Sequence, residues 1–168
     1  RATLHAPIRW DAGDPLEDAV DRLLLLRAAP APAPSPPFVA ERLDRDALAD
    51  DEPLLRQVFG LLVQAHYRTT PRDLAHLLDG PGLDVHVLRH GDRIGAVALI
   101  AREGGLDAAR CAALHRGERL RAQALAETLE VHSLWRGAAA LHLVRSVRTA
   151  VHPDLRRLGL GQQLVHAV

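Results

Sequence analysis

A strand that leads through a short glycine-containing loop into a helix is the feature that most limits how this chain folds. Residues 147–164 read VRTAVHPDLRRLGLGQQL, so the loop stands between an apolar, β-branched stretch and a run of good helix formers. The pattern predicts an interior strand over 143–151 and a helix that begins near Gly161. A buried strand needs neighbours, so the chain must form a sheet with at least one helix packed against it.

The loop has the composition of an anion-binding site. Gly159 and Gly161 let the backbone approach a phosphate closely, and the amides at a helix N-terminus attract anions, as does the helix dipole. Arg156 and Arg157 add positive charge. The alternative is an ordinary strand–loop–helix turn whose glycines serve tight packing. Two common phosphate motifs are excluded, because no G-K-S/T follows and Leu164 stands where a dinucleotide fingerprint needs glycine.

Upstream of this motif, helical and strand patterns alternate, as in a mixed α/β (α+β) domain. Apolar residues recur at helical spacing after Asp51, and Thr70-Pro71 suits the start of a second helix. A turn at 90–92 separates two strand-like stretches and predicts a hairpin. The predicted elements are helices over 51–66, 72–78 and 106–116 and strands over 84–88 and 94–101, with 119–140 left open between helix and loop.

The N-terminal part of the chain divides at a proline-rich stretch. Residues 28–37 read AAPAPAPSPP, a composition that favours polyproline II and a semi-rigid spacer. Before it, Asp14 and Pro15 suit the N-cap and first position of a helix predicted to run to Arg27. The interpretation is a preceding domain's end or a strap over 1–27, a linker over 28–37, and the main domain over 38–168.

Charge and composition exclude several classes of protein. The chain carries 21 basic and 21 acidic residues, which excludes a polybasic nucleic-acid binder, although nine Arg against four acids make the part after residue 109 positive. No apolar run approaches the ~20 residues of a membrane helix, and a single cysteine excludes a disulfide framework. The absence of Met predicts a piece of a longer protein. The use of Arg as the sole basic residue indicates a GC-rich, bacterial coding sequence.

The loop resembles a known acyltransferase signature. Arg156-x-x-Gly159-x-Gly161 is similar to the Gln/Arg-x-x-Gly-x-Gly/Ala motif of GNAT acetyltransferases, in which the loop holds the pyrophosphate of acetyl-CoA and the preceding strand binds the pantetheine arm. The order of two helices, a hairpin and the motif strand also resembles that fold. The resemblance implies a GNAT acyl-CoA N-acyltransferase fold with an N-terminal helical strap. It also implies that this fold is C-terminally incomplete, since the chain stops at Val168.

A closer resemblance, to the tRNA(Met) cytidine acetyltransferase family, runs from Pro7 to Gly161. It rests on PIRW at 7–10 with GDPLE at 13–17, on LRQVFGLLVQAHYRTTPRDL at 55–74, and on AVHP at 150–153. The family transfers acetyl from acetyl-CoA to N4 of the wobble cytidine of elongator tRNA(Met). A helicase-like module that uses ATP and Mg is implied only for the longer protein. The resemblance implies a cytoplasmic enzyme.

The resemblance also implies site residues. Contacts with acetyl-CoA are implied at Thr149, Ala150, Val151, Arg156, Arg157, Leu158, Gly159, Leu160, Gly161 and Gln162. Acceptor or RNA contacts are implied at His66, Tyr67 and Arg68, where an aromatic ring and a cation suit a nucleotide. The alternative there is a helix C-terminus with a favourable cation. The chain departs from the family at Thr149, where Ile is usual, and over 121–130, which lacks the usual Gly and Pro-Gln.

The sequence assigns no catalytic residue and no metal. Glu127, Glu130 and His132 precede the motif strand, but ordinary solvated side chains are the favoured interpretation. Cys111 lies in an apolar helical stretch, which indicates a packed thiol rather than a nucleophile. None of the ten histidines forms a ligand pair at helical spacing with a nearby carboxylate.

Two other functions stay open. One is a GNAT enzyme that acetylates a small amine or a protein amino group, although residues 1–27 have no use in a stand-alone acyltransferase. The other is a non-catalytic, GNAT-like scaffold that binds RNA or a partner. The oligomeric state is left open.

Overall fold

The computed structural model of the chain describes residues 11, 13–65 and 69–168. Seven α-helices are described: α1 (Pro15–Leu24), α2 (Arg45–Asp50), α3 (Glu52–Ala65), α4 (Pro71–Asp79), α5 (Ala108–His115), α6 (Ala124–Glu127) and α7 (Leu160–His166). Four strands are described: β1 (Val39–Leu43), β2 (Leu83–His90), β3 (Arg93–Gly104) and β4 (His142–Val151). Single turns follow α6 as a π-helix (Thr128–His132) and flank β4 as 3₁₀-helices (Ala138–Ala140 and Pro153–Leu155).

The four strands form one antiparallel sheet in the order β1-β2-β3-β4. The predicted hairpin is β2 and β3, with Val87 opposite Val97. β4 pairs with β3, and a bulge at Val147 interrupts their register, because Leu99 lies opposite Arg148 while Ile100 lies opposite Ser146. Within the described residues, the other edge of β4 has no partner strand.

The two faces of the sheet bury different clusters, since successive strand residues point to opposite sides. On one face, strand residues pack with α3 and α4: Val85, Val87, Val97, Leu99 and Ala150 with Val58, Leu62 and Leu77. On the other face, strand residues pack with α7 and the turn before it: Leu88, Ala96, Ala98 and Ile100 with Leu155, Leu160 and Leu164. The strand–loop–helix motif therefore closes one side of the sheet, as its sequence predicts.

Local capping explains where α1 begins. The Asp14 carboxylate accepts hydrogen bonds from the amides of Leu16 and Glu17 at 2.9 and 3.1 Å. The helix ends three residues before the predicted Arg27, because the backbone turns left-handed at Leu25 (φ 51°) and buries that side chain in the core.

The proline-rich segment lies directly on the domain. The α3 backbone at Gly60 is so close to Ala29 that a Cβ at residue 60 would stand 2.5 Å from the Ala29 carbonyl carbon. Arg93 donates to the Pro32 carbonyl at 3.3 Å, and the ring of His90 bonds to the Pro37 carbonyl at 2.8 Å. The segment thus contacts α3 and the hairpin, while the division of the chain into domains at 28–37 stays a prediction.

Three parts of the fold are not predicted from the sequence. β1 reads VAERL with only Leu43 buried, so it shows no alternation, and α2 is a six-residue helix capped by Asp44. The open region 119–140 contributes α6 and two short turns around a small cluster of Leu106, Leu114, Ala126 and Ala139. Among the described residues, no helix is both long enough and apolar enough to cross a bilayer.

Candidate functional site

The glycine loop leaves β4, makes one 3₁₀ turn, and enters α7 through left-handed backbone. Arg157 has φ 65°, and Gly159, the N-cap of α7, has φ 79°. Buried Leu155 and Leu160 anchor the two ends of the loop, whereas Leu158 between them is 63% exposed. Left-handed backbone directly before a helix N-terminus leaves neighbouring amides without partners inside the helix, which is a condition for an anion-binding concavity.

Six consecutive backbone amides of this loop have no acceptor among the described residues. The Arg156 amide donates to the Pro153 carbonyl at 3.4 Å, and the Gln163 amide donates to the Gly159 carbonyl at 3.0 Å. Between them, no hydrogen bond engages the amides of 157–162 in the described part of the chain. The first turn of any helix leaves such donors free, and here the loop extends their number. This row of donors requires water or an anion as its partner.

The side chains of the loop do not cover the row of amides, and two of them are positively charged. Arg156 and Arg157 are both exposed and form no ion pair with any described residue. A Cβ at residue 161 would meet Val151 at 3.8 Å and nothing closer, so the backbone of α7 runs close to the end of β4. An anion held by these amides would therefore lie beside the last residues of that strand.

The outer edge of β4 supplies a second set of free peptide groups. The His152 amide donates to the Gly95 carbonyl at 2.8 Å. This bond shows which residues of β4 are hydrogen-bonded to β3. Because bonded and free residues alternate along an antiparallel pair, the peptide groups of Thr149 and Val151 face away from β3. Ala150 between them is buried against α3. An extended chain can pair with this edge and continue to the loop amides.

Comparison with known proteins identifies the family. The protein-family model described as GNAT acetyltransferase 2 matches residues 57–168, which is two thirds of the chain. The chain belongs to this family. The GNAT fold expected from the glycine loop is therefore confirmed, with its antiparallel sheet and its α+β arrangement.

Relatives extend the similarity over nearly the whole chain. A protein of Nitrosococcus halophilus (strain Nc4) named tRNA(Met) cytidine acetyltransferase TmcA is 47% identical over 98% of this chain and 23% of its own length. Proteins of the same name from Haloferax volcanii and Salmonella typhimurium are 44% and 36% identical, each over 98% of this chain and over 22% and 25% of their own lengths. The chain spans about a quarter of these relatives. The closer resemblance seen in the sequence is thereby confirmed.

The GNAT acceptor-side candidates His66, Tyr67 and Arg68 lie outside the described residues. The structure describes the junction beyond them, where Thr70 and Asp73 form the capping box of α4. Asp73 also accepts from the Arg148 guanidinium of β4 at 2.6 Å. Burial by itself raises the pKa of Asp73, but the Thr70 hydrogen bonds and the Arg148 charge outweigh it and hold this pKa below its ordinary value. The start of α4, just beyond the predicted acceptor residues, is thus bonded to the motif strand.

Glu130 holds a turn and is not free to accept a substrate proton. Its side chain is 3% exposed and accepts from the Gly137 and Ala139 amides at 3.1 and 2.9 Å and bonds to His115 at 2.9 Å. The two backbone hydrogen bonds lower the pKa of this carboxyl, so it stays ionised. The favoured interpretation of Glu130 as a solvated side chain is therefore wrong, because the sequence cannot show the turn that buries it.

The remaining candidates lie where they take no part in the glycine loop. Glu127 is half-buried on α6 and His132 is exposed at the end of the π-helical turn. Burial, together with the charges of Glu130 and Asp107, raises the pKa of the half-buried Cys111 thiol, which keeps it protonated. No group of three or more His, Cys, Asp or Glu side chains in the described part of the chain is arranged to hold a metal ion.

His152 lies at the start of the glycine loop, and the sequence assigns it no role. It is buried, and its Nδ1 accepts from the Asp154 amide at 3.2 Å while Nε2 bonds to the Ala31 carbonyl at 2.9 Å. The Asp154 carboxylate also approaches Nδ1, at 3.8 Å. The ring joins the start of the glycine loop to the proline-rich segment, a contact across 121 residues that no local pattern reveals.

Proposed function

We propose that this chain is the acetyl-CoA-binding part of an RNA acetyltransferase that acetylates N4 of a tRNA cytidine. The observation that carries the proposal is the row of six free amides over 157–162, next to the free edge of β4. The names of relatives up to 47% identical supply the acceptor, a tRNA(Met) cytidine. More specifically, we propose that the acceptor is the wobble cytidine of elongator tRNA(Met).

The residues present fit acetyl-CoA as a substrate. The amides of 157–162 would hold its pyrophosphate, with Arg156 and Arg157 adding charge at the rim of the site. The pantetheine arm carries amide groups of its own, which would pair with the outward peptide groups of Thr149 and Val151. This arrangement would align the thioester with β4. Gly161 has no side chain that would block acetyl-CoA from the loop amides.

The reaction is a direct transfer with no covalent enzyme intermediate. The cytidine N4 attacks the thioester carbonyl carbon, a C–N bond forms, and the C–S bond breaks with the electron pair leaving on sulfur. Cytidine N4 is barely basic, so its proton leaves after attack and reaches the thiolate or solvent. An outward amide of β4 can stabilise the oxyanion that forms in between. No described side chain is assigned as the base.

The other parts of the proposal concern the longer protein. His66, Tyr67 and Arg68 are proposed to contact the acceptor RNA, because the adjoining Asp73 is bonded to β4 through Arg148. ATP and Mg would serve a helicase-like module outside this chain, which presents the base. An enzyme acting on tRNA would work in the cytoplasm.

The test is a reconstitution with the longer parent protein, acetyl-CoA, ATP and bulk bacterial tRNA. The RNA is digested, and mass spectrometry looks for N4-acetylcytidine. We expect the modified nucleoside, and its loss without ATP would demonstrate the need for the helicase-like module. Binding of acetyl-CoA without any acetylcytidine would contradict the acceptor, and release of free thiol with a small amine instead would favour the alternative GNAT activity.

A further inference from the structure

The turn at 133–137 presents an aromatic ring to solvent. Trp135 is 56% exposed, and Leu134 beside it is 81% exposed. No other Phe, Tyr or Trp among the described residues is exposed. The turn leads through one 3₁₀-helix directly into β4, the strand whose outer edge is free.

The backbone under this ring is held in place. The Trp135 amide donates to the Leu129 carbonyl at 3.0 Å, and its own carbonyl accepts from the Ala138 amide at 3.1 Å. Buried Glu130 binds the next amides of the turn. Leu134 has φ 54°, a left-handed conformation that costs a branched residue free energy. The backbone that carries the ring is therefore already ordered before any ligand binds, which lowers the entropy lost on binding.

Exposed arginines lie on this turn and on a segment that packs against the same small cluster as the turn. Arg119, Arg121 and Arg136 are exposed and form no ion pair with described residues. Glu127 on α6 forms no ion pair with them either, but it is half-buried. The segments that carry them are brought together by the small cluster of Leu106, Leu114, Ala126 and Ala139, against which Leu120 and Val131 both pack. The sign of this charge suits a phosphate backbone.

We propose that Trp135 stacks on an unpaired base of the RNA substrate, and that Arg119, Arg121 and Arg136 contact the neighbouring phosphates. The inference rests on the proposed function, because it names an RNA contact of the same enzyme. Single-stranded nucleotides are bound by aromatic faces combined with flanking cations, which is the combination at this turn. The contact would position the RNA beside β4 and would take no part in the chemistry.

The test compares tRNA affinity among variants of the parent protein by anisotropy of labelled tRNA. Trp135→Ala is expected to weaken binding about tenfold, the effect of one lost base–aromatic stack. Trp135→Phe keeps a ring and is expected to stay within about threefold of the parent. Leu134→Ala is the matched control, because it removes an equally exposed apolar side chain that has no ring, and tRNA affinity should not change. Arg136→Gln should lower the slope of log Kd against log salt by about 0.7 to 1.

Three results would overturn the inference. One is unchanged tRNA affinity in Trp135→Ala. Another is an equal loss in Trp135→Ala and Leu134→Ala, which would indicate that a protein surface covers the turn. The third is an equal loss in the Ala and Phe variants together with a lower Tm, which would make the ring a structural contact. Failure of the proposed function is distinguishable, because the unaltered parent would then form no N4-acetylcytidine.

Discussion

At the scale of the residue, Gly161 is a position where a substitution is expected to affect ligand binding without affecting the fold. A Cβ here would make an ordinary contact with Val151, so the fold accepts a side chain. A carboxylate in the first turn of α7 would even interact favourably with the helix dipole. The same carboxylate would fill the space proposed for the phosphates of acetyl-CoA, and its negative charge would repel them.

Gly161→Asp is therefore expected to lose at least about tenfold in acetyl-CoA affinity, or about 1.4 kcal/mol, with its Tm close to that of the parent. Calorimetric titration measures the affinity. Gly161→Ala is the control, because it adds a Cβ without charge and should bind acetyl-CoA within a few-fold of the parent. An unchanged affinity in the Asp variant would remove the glycine loop from the site.

At the scale of the element, the Asp73 carboxylate makes two kinds of contact that hold the N-terminus of α4. Asp73 completes the capping box with Thr70 and accepts from Arg148 of β4. The local half of this arrangement is visible in the sequence, where Thr70-Pro71 predicts the helix start. The other half joins residues 75 positions apart, and it depends on the sheet register that brings Arg148 to the side of α4.

Asp73→Ala is expected to lower the free energy of unfolding by about 1–2 kcal/mol at neutral pH, through the lost cap and ion pair. The pKa of Asp73 is lowered on folding, so this stabilisation is present above its ordinary value of 3.8 and lost as pH falls through the native pKa. Urea unfolding at about pH 7 and about pH 3 should show the difference shrinking in acid. Asp79→Ala, exposed at the other end of α4, should change stability little at either pH; a difference that grew in acid would contradict the account.

At the scale of the whole molecule, the proline-rich segment is part of the packing of the domain. It lies on α3 at Gly60 and bonds to His152 at the start of the glycine loop. Glycine inside a helix usually costs about 1 kcal/mol relative to alanine. Here a Cβ would stand 2.5 Å from the Ala29 carbonyl carbon, so the segment lies too close to α3 for any side chain at that position.

Gly60→Ala should consequently reverse the usual helix preference and destabilise the protein by about 1–3 kcal/mol. Thermal or urea unfolding measures the change, and Gly161→Ala, where the new Cβ has 3.8 Å of room, serves as the comparison. A stabilised Gly60→Ala variant would mean that the segment does not rest on α3.

The sequence predicts the helix and strand types well where the apolar period is strong, as in α3, the β2–β3 hairpin and β4. It fails for β1, whose five residues bury only Leu43 and show no period. It also misjudges Glu130, because the burial of a carboxylate depends on amides of a turn that has no sequence signature. In the candidate site, the glycine loop is predictable because its residues are consecutive, whereas His152 and Arg148 bond to partners that are distant in the sequence.

Family, fold type and the conformation of the glycine loop are therefore determined locally, in motifs whose residues are neighbours along the chain. Their physical basis is short-range: glycine conformation, helix-terminal amides and apolar periodicity act within a few residues. The free edge of β4, the Asp73–Arg148 bond and the exposed ring of Trp135 arise only when distant segments pack. Such features depend on register and burial, which are properties of the assembled sheet and its helices.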